Sequence, residues 1–202
     1  YTGGAKATAD VYEQSADTYA IFTNNTFSLT DQFDLTVGLR YTRDEKTLVS
    51  DFGGNAGSCT TALAVLGAAN GLTPTLCLPW TNDNFVGVSA TQDRSDEDLS
   101  GTVKGSYRFN ENVMSYASYS RGYKAGGYNL DRSQFGPNDP TPFQPNTDTG
   151  FDPETVDAYE VGFKSNNAAN SLFLNGAMFY QEYSDFQLNT FTGTSFIVTS
   201  VP

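Results

Sequence analysis

Hydrophobic and polar residues alternate strictly over residues 33–42, where every second side chain is apolar: Phe33, Leu35, Val37, Leu39 and Tyr41. A two-residue period is typical of a β-strand with one apolar face, because successive side chains point to opposite sides of a sheet. Residues 99–109 repeat the pattern, with Val103, Tyr107 and Phe109 on one face and Lys104 and Arg108 on the other. We therefore predict two strands, each with one apolar and one polar face.

Four further segments predict strands whose facing is less regular: residues 18–29, 113–124, 156–164 and 172–187. A seventh strand begins near Ser195. Short turns at residues 29–32, 110–112 and 165–170 alternate with two long loops, at about 44–98 and 125–154. Long loops are uncommon inside compact domains, whereas outer-membrane barrels carry short turns on one rim and long loops on the other. We therefore predict an all-β fold, an antiparallel up-and-down transmembrane β-barrel, of which this chain forms about six to seven strands.

Aromatic residues lie toward both ends of the predicted strands. Phe27, Phe33, Tyr107 and Phe109 are beside the short turns, and Tyr41, Tyr123 and Tyr183 are toward the opposite ends. Two aromatic belts at the membrane interfaces would produce this distribution. The alternative is the general preference of tyrosine for strands.

The charge and the missing histidine exclude several functions. The chain has 202 residues, with 23 acidic and 11 basic side chains and a formal net charge of −12. This balance argues against a nucleic-acid partner, because phosphate binding needs clustered Lys and Arg. Without histidine, no Ser/His/Asp or Cys/His arrangement can form, and only two cysteines remain as strong metal ligands. We therefore predict no enzymatic activity, no metal site and no cofactor.

Three stretches resemble the barrel of TonB-dependent outer-membrane receptors. They are TVGLRYTRDEK at residues 36–46, VMSYASYSRGYKAGGYN at residues 113–129, and FDPETVDAYEVGFKS followed by LFLNGAMFYQEYSDFQL within residues 151–188. The resemblance implies a bacterial outer-membrane barrel of about 22 strands around a plug domain. It also implies that outer loops capture a ligand and that the protein TonB supplies the pulling force.

No plug domain or TonB box is recognisable in the sequence, so we expect residues 1–202 to be part of the barrel alone. The expected function is active import of a scarce nutrient, a ferric siderophore before cobalamin or an oligosaccharide. The expected partners are TonB, acting through a plug outside this chain, outer-membrane lipid and lipopolysaccharide, and the small nutrient ligand. A passive porin and a soluble β-sandwich binding or adhesion module are the alternatives.

Two kinds of structural residue stand out. Cys59 and Cys77 lie within the first long loop, and an even pair in an exported protein suggests a disulfide, with free thiols as the alternative. Arg40, Lys104 and Arg108 lie on the polar strand faces. We predict that they line a lumen or contact a plug, because the opposite faces are apolar enough for lipid. The alternative is an ordinary solvated surface.

The candidate ligand-binding residues lie where a strand enters the second long loop: Tyr123, Lys124, Tyr128, Asn129 and Arg132. Aromatic and amide groups there suit siderophores and sugars, although a packed, hydrated loop base is the alternative for each residue. Neither a Lys-Ser nor a Lys-Thr pair follows the neighbouring glycines, which argues against a phosphate site. We predict instead that Gly122, Gly126 and Gly127 relieve crowding at a strand end.

Overall fold

The computed structural model describes residues 9–54, 58–68, 70–72, 77–78, 80, 82–132, 148–167, 172–191 and 196–202. These ranges contain strands β1 (Val11–Ser28), β2 (Phe33–Phe52), β3 (Val88–Asn110), β4 (Val113–Lys124), β5 (Gly127–Tyr128), β6 (Gly150–Phe151), β7 (Glu154–Asn167), β8 (Leu172–Ser184), β9 (Phe186–Phe191) and β10 (Phe196–Val201). An α-helix, α1 (Ser58–Leu66), and a 3-10 turn (Asp83–Phe85) interrupt the first loop. Within the described ranges, no helix is long and apolar enough to cross a membrane.

The main sheet has six strands in the order β1-β2-β3-β4-β7-β8, and every neighbouring pair is antiparallel. This is the predicted up-and-down order. In the described residues β1 and β8 are the two edges of the sheet, so the barrel is partial and not closed, as expected. The short pairs β5–β6 and β9–β10 lie outside the main sheet.

The strand register places the two alternating apolar sets on one face. Phe33 is opposite Tyr107 and Val37 is opposite Val103. We call this the outer face. The opposite, inner face carries Lys104 opposite Thr36, and the prediction that β2 and β3 share their apolar and polar faces is therefore confirmed.

A row of tyrosines crosses the outer face of neighbouring strands. The ring of Tyr119 lies 5.2 Å from that of Tyr159, which lies 6.4 Å from that of Tyr180. In the next outer-face positions, Arg121 pairs with Asp157 and Asp157 with Glu182. The tyrosine row therefore marks the edge of the apolar band on the side of the long loops. We call this side of the sheet the upper side.

The structure corrects part of the prediction for the aromatic belt on the upper side, which comprised Tyr41, Tyr123 and Tyr183. Tyr41 lies on the outer face as expected. Tyr183, opposite Val156, lies on the inner face, and the Tyr123 hydroxyl is buried. Both faces of residues 172–187 contain aromatic residues, so the sequence pattern did not assign the face of Tyr183.

Strand β1 interrupts the apolar band with two polar residues on its outer face, Thr23 and Asn25. The Asn25 amide donates a hydrogen bond to the Thr23 hydroxyl at 2.7 Å. Each side chain thereby satisfies part of the other's hydrogen-bonding capacity in an otherwise apolar surface.

Strands β2 and β3 extend past the boundaries predicted for the first long loop: β2 ends at Phe52 and β3 begins at Val88, so the predicted loop range 44–98 was too wide. Polar pairs hold the extension together: Arg43 donates to Glu97 at 3.1 Å, and Thr47 donates to Asp93 at 2.7 Å. The ladder between β3 and β4 ends at the pair Gly101–Arg121, so the upper half of β3 continues without β4 beside it.

The predicted disulfide is present in the first loop. Cys59 and Cys77 are bonded, with their Cα atoms 4.3 Å apart. Both side chains are buried and pack with Ala62 of α1. The bond therefore ties the start of the helix to the returning half of the loop.

Candidate functional site

Part of the second loop folds back onto the inner face of the extended strands. We call residues 125–132 the inner strap. The Gly126 N–H donates to Asp96 Oδ2 at 3.1 Å, and Lys46 Nζ donates to the Gly126 carbonyl at 2.5 Å. The Tyr128 hydroxyl donates to the carbonyl of Lys46 at 3.3 Å. Because Lys46 and Asp96 are inner-face residues of β2 and β3, the strap lies inside the wall.

Close packing explains the glycines of this segment. A Cβ atom on Gly126 would lie 2.4 Å from both Arg94 Cζ and the carbonyl oxygen of Phe151. On Gly127 it would lie 2.8 Å from the ring of Phe151, and on Gly122 it would lie 2.9 Å from Val156 Cγ1. The prediction that these glycines relieve crowding is confirmed.

Residues 148–152 follow the strap onto the same part of β3. Gln92 Nε2 donates to Thr149 Oγ1 at 3.0 Å, and the Thr149 N–H donates to Gln92 Oε1 at 2.9 Å. Arg94 forms an ion pair with Asp152 at 3.3 Å. Strands β5 and β6 join this segment to the strap.

A cleft of about 330 Å³ lies between upper β3 and these loop segments. Its lining is mostly polar: Gln92, Asp93, Arg94, Tyr128, Asp148 and Gly150. Its size is at the lower end of the range for small-molecule sites. Tyr128 is the one residue of the predicted ligand set that lines this cleft.

Asn129 attaches the strap to β10. Its side-chain amide donates to the carbonyl of Val198 at 3.0 Å, and the Val198 N–H donates to Asn129 Oδ1 at 2.6 Å. The amide also donates to the carbonyl of Thr149 at 3.2 Å. The Asn129 side chain therefore imitates a peptide group in a β-ladder.

Arg132 is deeply buried, with only 3% of its surface exposed. Its Nε donates to both carboxylate oxygens of Asp10, at 3.0 and 2.8 Å, and its Nη2 donates to the carbonyl of Gly53. The guanidinium lies 5.5 Å from the centre of the Phe52 ring and 5.7 Å from that of Phe85. A ligand would have to displace these contacts to reach it.

Tyr123 and Lys124 lie at the upper end of β4. Within the described residues, the Tyr123 hydroxyl and Asp98 Oδ2 are buried without a hydrogen-bond partner. Burial, followed by the negative charges of Asp96, Asp44 and Asp98, raises the pKa of Tyr123 well above its usual value. Lys124 is exposed.

The structure thus divides the five predicted ligand residues into three groups: Tyr128 lines the cleft, Asn129 and Arg132 are held by protein contacts, and Tyr123 and Lys124 end β4. A ligand-binding role stays a prediction for all five. The sequence pattern did not identify Gln92 or Arg94, which lie more than 50 residues before their loop partners Thr149 and Asp152. No local signal indicates such a contact.

The three basic residues predicted for a lumen all lie on the inner face. Arg40 donates to Thr42 Oγ1 at 3.0 Å and lies 5.9 Å from the ring centre of Phe22. Lys104 lies 5.0 Å from the ring centre of Tyr116. Arg108 forms an ion pair with Asp34 at 2.8 Å.

The family profile described as "TonB dependent receptor-like, beta-barrel" matches residues 1–201. The chain belongs to this family. TonB-dependent receptors are bacterial outer-membrane proteins and transporters, so the chain is part of an outer-membrane receptor barrel.

Two solved receptor structures share its fold. The ferric yersiniabactin uptake receptor FyuA from Yersinia pestis is 21% identical, with a TM-score of 0.63, over 96% of this chain and 23% of that protein. The closed form of the ferric-catecholate import receptor Fiu from E. coli K12 is 21% identical, with a TM-score of 0.54, over 93% of this chain and 24% of that protein. This chain therefore spans about a quarter of the length of each of these two receptors. No curated protein matches it.

Proposed function

We propose that the intact protein is an energised importer that takes up a ferric siderophore through the bacterial outer membrane. The observation that carries this proposal is the cleft at the top of the inner face, where loop segments fold inward over a polar wall. A receptor that captures a scarce solute from outside needs such a site above its lumen.

Across β1 to β4, the inner face is largely polar, as expected of a hydrated lumen. Hydroxyl groups pair across strands, as in Thr26–Thr36 at 2.9 Å and Thr102–Ser120 at 2.8 Å. The basic residues of the same face are Arg40, Lys104 and Arg108. A basic side chain on the lipid side would cost about 2–4 kcal/mol at the membrane midplane. We infer that this face lines the lumen or contacts a plug, and that lipid covers the opposite face.

The partners follow from the same arrangement. TonB would act through a plug domain outside this chain. Outer-membrane lipid would cover the apolar band, and lipopolysaccharide would lie beside the charged positions above the tyrosine row, such as Arg121 and Asp157. The two similar receptors are named for ferric siderophores, which supports this ligand class before cobalamin or an oligosaccharide.

Uptake of iron-loaded siderophores tests the proposal. Cells that express the intact receptor would be given radioactive ferric complexes of a catecholate, a hydroxamate and a phenolate siderophore in turn. We expect accumulation of at least one complex, and we expect that deleting TonB or collapsing the proton gradient abolishes it. Unchanged uptake after either treatment would replace the importer with a passive porin. Failure of every complex would exclude the siderophore class.

A further inference from the structure

We propose that Arg132 is a positioning residue. Its buried contacts hold the inner strap inside the mouth, the upper end of the barrel, and keep the Tyr123 hydroxyl and Asp98 covered. This role concerns the shape of the mouth and does not depend on which solute is imported.

The contacts of Arg132 join the strap to three separate parts of the chain. Its carboxylate partner, Asp10, precedes β1, and its carbonyl partner, Gly53, follows β2. The flanking rings come from Phe52 at the end of β2 and Phe85 in the 3-10 turn. A buried guanidinium with this set of partners has one favourable location, because leaving it would strand the Asp10 carboxylate.

The strap is consequently held at both ends. At its start, Gly126 is hydrogen-bonded to Asp96 and Lys46, and at its end Arg132 is held as described above. Between them, the Tyr128 hydroxyl donates to the carbonyl of Lys46, and the Asn129 side chain forms two hydrogen bonds with the backbone of Val198. Arg132 has the most buried side chain of the described strap residues, so its loss should release the end of the strap.

Tyr123 lies two residues before the strap, and Asp98 lies two residues along β3 from Asp96, the hydrogen-bond partner of Gly126. Asp96, which accepts from Gly126, is also close enough to the Tyr123 hydroxyl to raise its pKa. The Tyr123 hydroxyl and Asp98 Oδ2 have no contact with solvent and no partner within the described residues. Buried polar groups of this kind cost free energy, so they stay hidden only while the surrounding structure holds them.

Cysteine labelling measures whether the strap covers Tyr123. Tyr123→Cys would be introduced into the intact receptor in whole cells and treated with a membrane-impermeant maleimide; the native Cys59 and Cys77 are bonded to each other and do not react. We expect slow labelling with Arg132 present, and labelling faster by about tenfold or more after Arg132→Met, because local opening controls access. Arg132→Lys keeps the positive charge but lacks the planar, forked N–H donors of a guanidinium, and should give an intermediate labelling rate.

Lys124→Cys is the matched control, since the neighbouring residue is already exposed. Its labelling rate should be the same with Arg132 or Met at position 132. Equal rates for Tyr123→Cys in both backgrounds would overturn the proposal, as would an equal acceleration of Lys124→Cys. Heat-dependent gel migration reports whether the barrel is folded. If Arg132→Met fails this check, Asp10→Asn takes its place with the same expected acceleration. None of these measurements needs a ligand or TonB, so their outcome is independent of the importer test.

Discussion

Asp10 and Arg132, which are 122 residues apart in the sequence, form an ion pair at the mouth of the barrel wall, with side chains that are 17% and 3% exposed. The Arg132 Nε is 2.8 Å from Asp10 Oδ2, and Asp10 Oδ1 also accepts a hydrogen bond from the Gly53 N–H at 3.3 Å. The carboxylate therefore connects the start of β1, the end of β2 and the inner strap. Removing one partner of such a pair lowers stability strongly, because the other charge then stays buried without its countercharge.

We expect the two residues of this pair to be energetically coupled. Arg132→Met alone should destabilise the mouth by about 3–5 kcal/mol, because Asp10 is left without its countercharge. Adding Asp10→Asn should recover part of that loss. Hydrogen exchange of peptides that contain Gly53 and Gly126 measures the local stability in all four proteins of the cycle. Strictly additive losses would show that the pair is not a coupled unit.

Replacing Gly126 with alanine should open the strap. The added Cβ would lie 2.4 Å from the carbonyl of Phe151, a backbone atom that cannot rotate away, and from Arg94 Cζ. We expect faster hydrogen exchange in residues 125–132 and weaker ligand capture, with the sheet intact. Gly71→Ala is the control, because nothing lies within 4 Å of a Cβ at that position. Equal protection in both variants would contradict the crowding argument.

Neighbouring residues of β3 test which face meets lipid. Val103→Lys introduces a charge on the outer face opposite Val37, and should cost about 2–4 kcal/mol if the position is near the membrane midplane. Thr102→Lys introduces the same charge on the inner face and should cost less, because water or polar groups surround it there. Urea unfolding of the receptor in lipid vesicles gives both free energies. A larger loss for Thr102→Lys would reverse the assignment of the faces.

Reducing the disulfide should loosen the first loop without affecting the wall. Closing the loop between Cys59 and Cys77 stabilises it by about 3 kcal/mol in the chain-entropy model. We expect faster proteolysis within residues 53–87 after reduction, and the same rate in the variant with both cysteines changed to serine. The strand regions should resist protease equally in all forms. Loss of heat-dependent gel migration on reduction would mean that the bond supports the barrel itself.

Alkaline pH should weaken the mouth through Tyr12. Burial, then the charges of Asp10 and Asp131, raises the pKa of Tyr12 from 10.0 to about 12. Since the folded state favours the neutral phenol, this stabilisation is complete below pH 10.0, declines as the pH rises, and is lost above about 12. Tyr12→Phe should remove this dependence and one late step from the phenolate absorbance titration. An unchanged titration would show that Tyr12 ionises normally.

The alternation in residues 33–42 predicted β2 and its facing correctly because the two sides of that segment meet different surroundings. The pattern fades above Tyr41, where Arg43 and Glu45 of β2 occupy the outer face, and the predicted strand therefore ended too early. In β8 the sequence signal is ambiguous for another reason: Phe173 and Phe179 make the inner face apolar as well. Register with β7 resolved it, since Tyr180 is opposite Tyr159 of the tyrosine row.

The sequence by itself determined the class of fold, the shared faces of β2 and β3, the pairing of the two cysteines and the family, because each depends on residues close together in the chain or on an even pair of reactive groups. Only the tertiary structure decided that residues 125–132 fold inward, that Asn129 and Arg132 are held by Val198 and Asp10, and that Gln92 and Arg94 line the cleft. These contacts join segments dozens of residues apart. They are side-chain contacts of the folded-back loop segments, and no local preference of these residues indicates them.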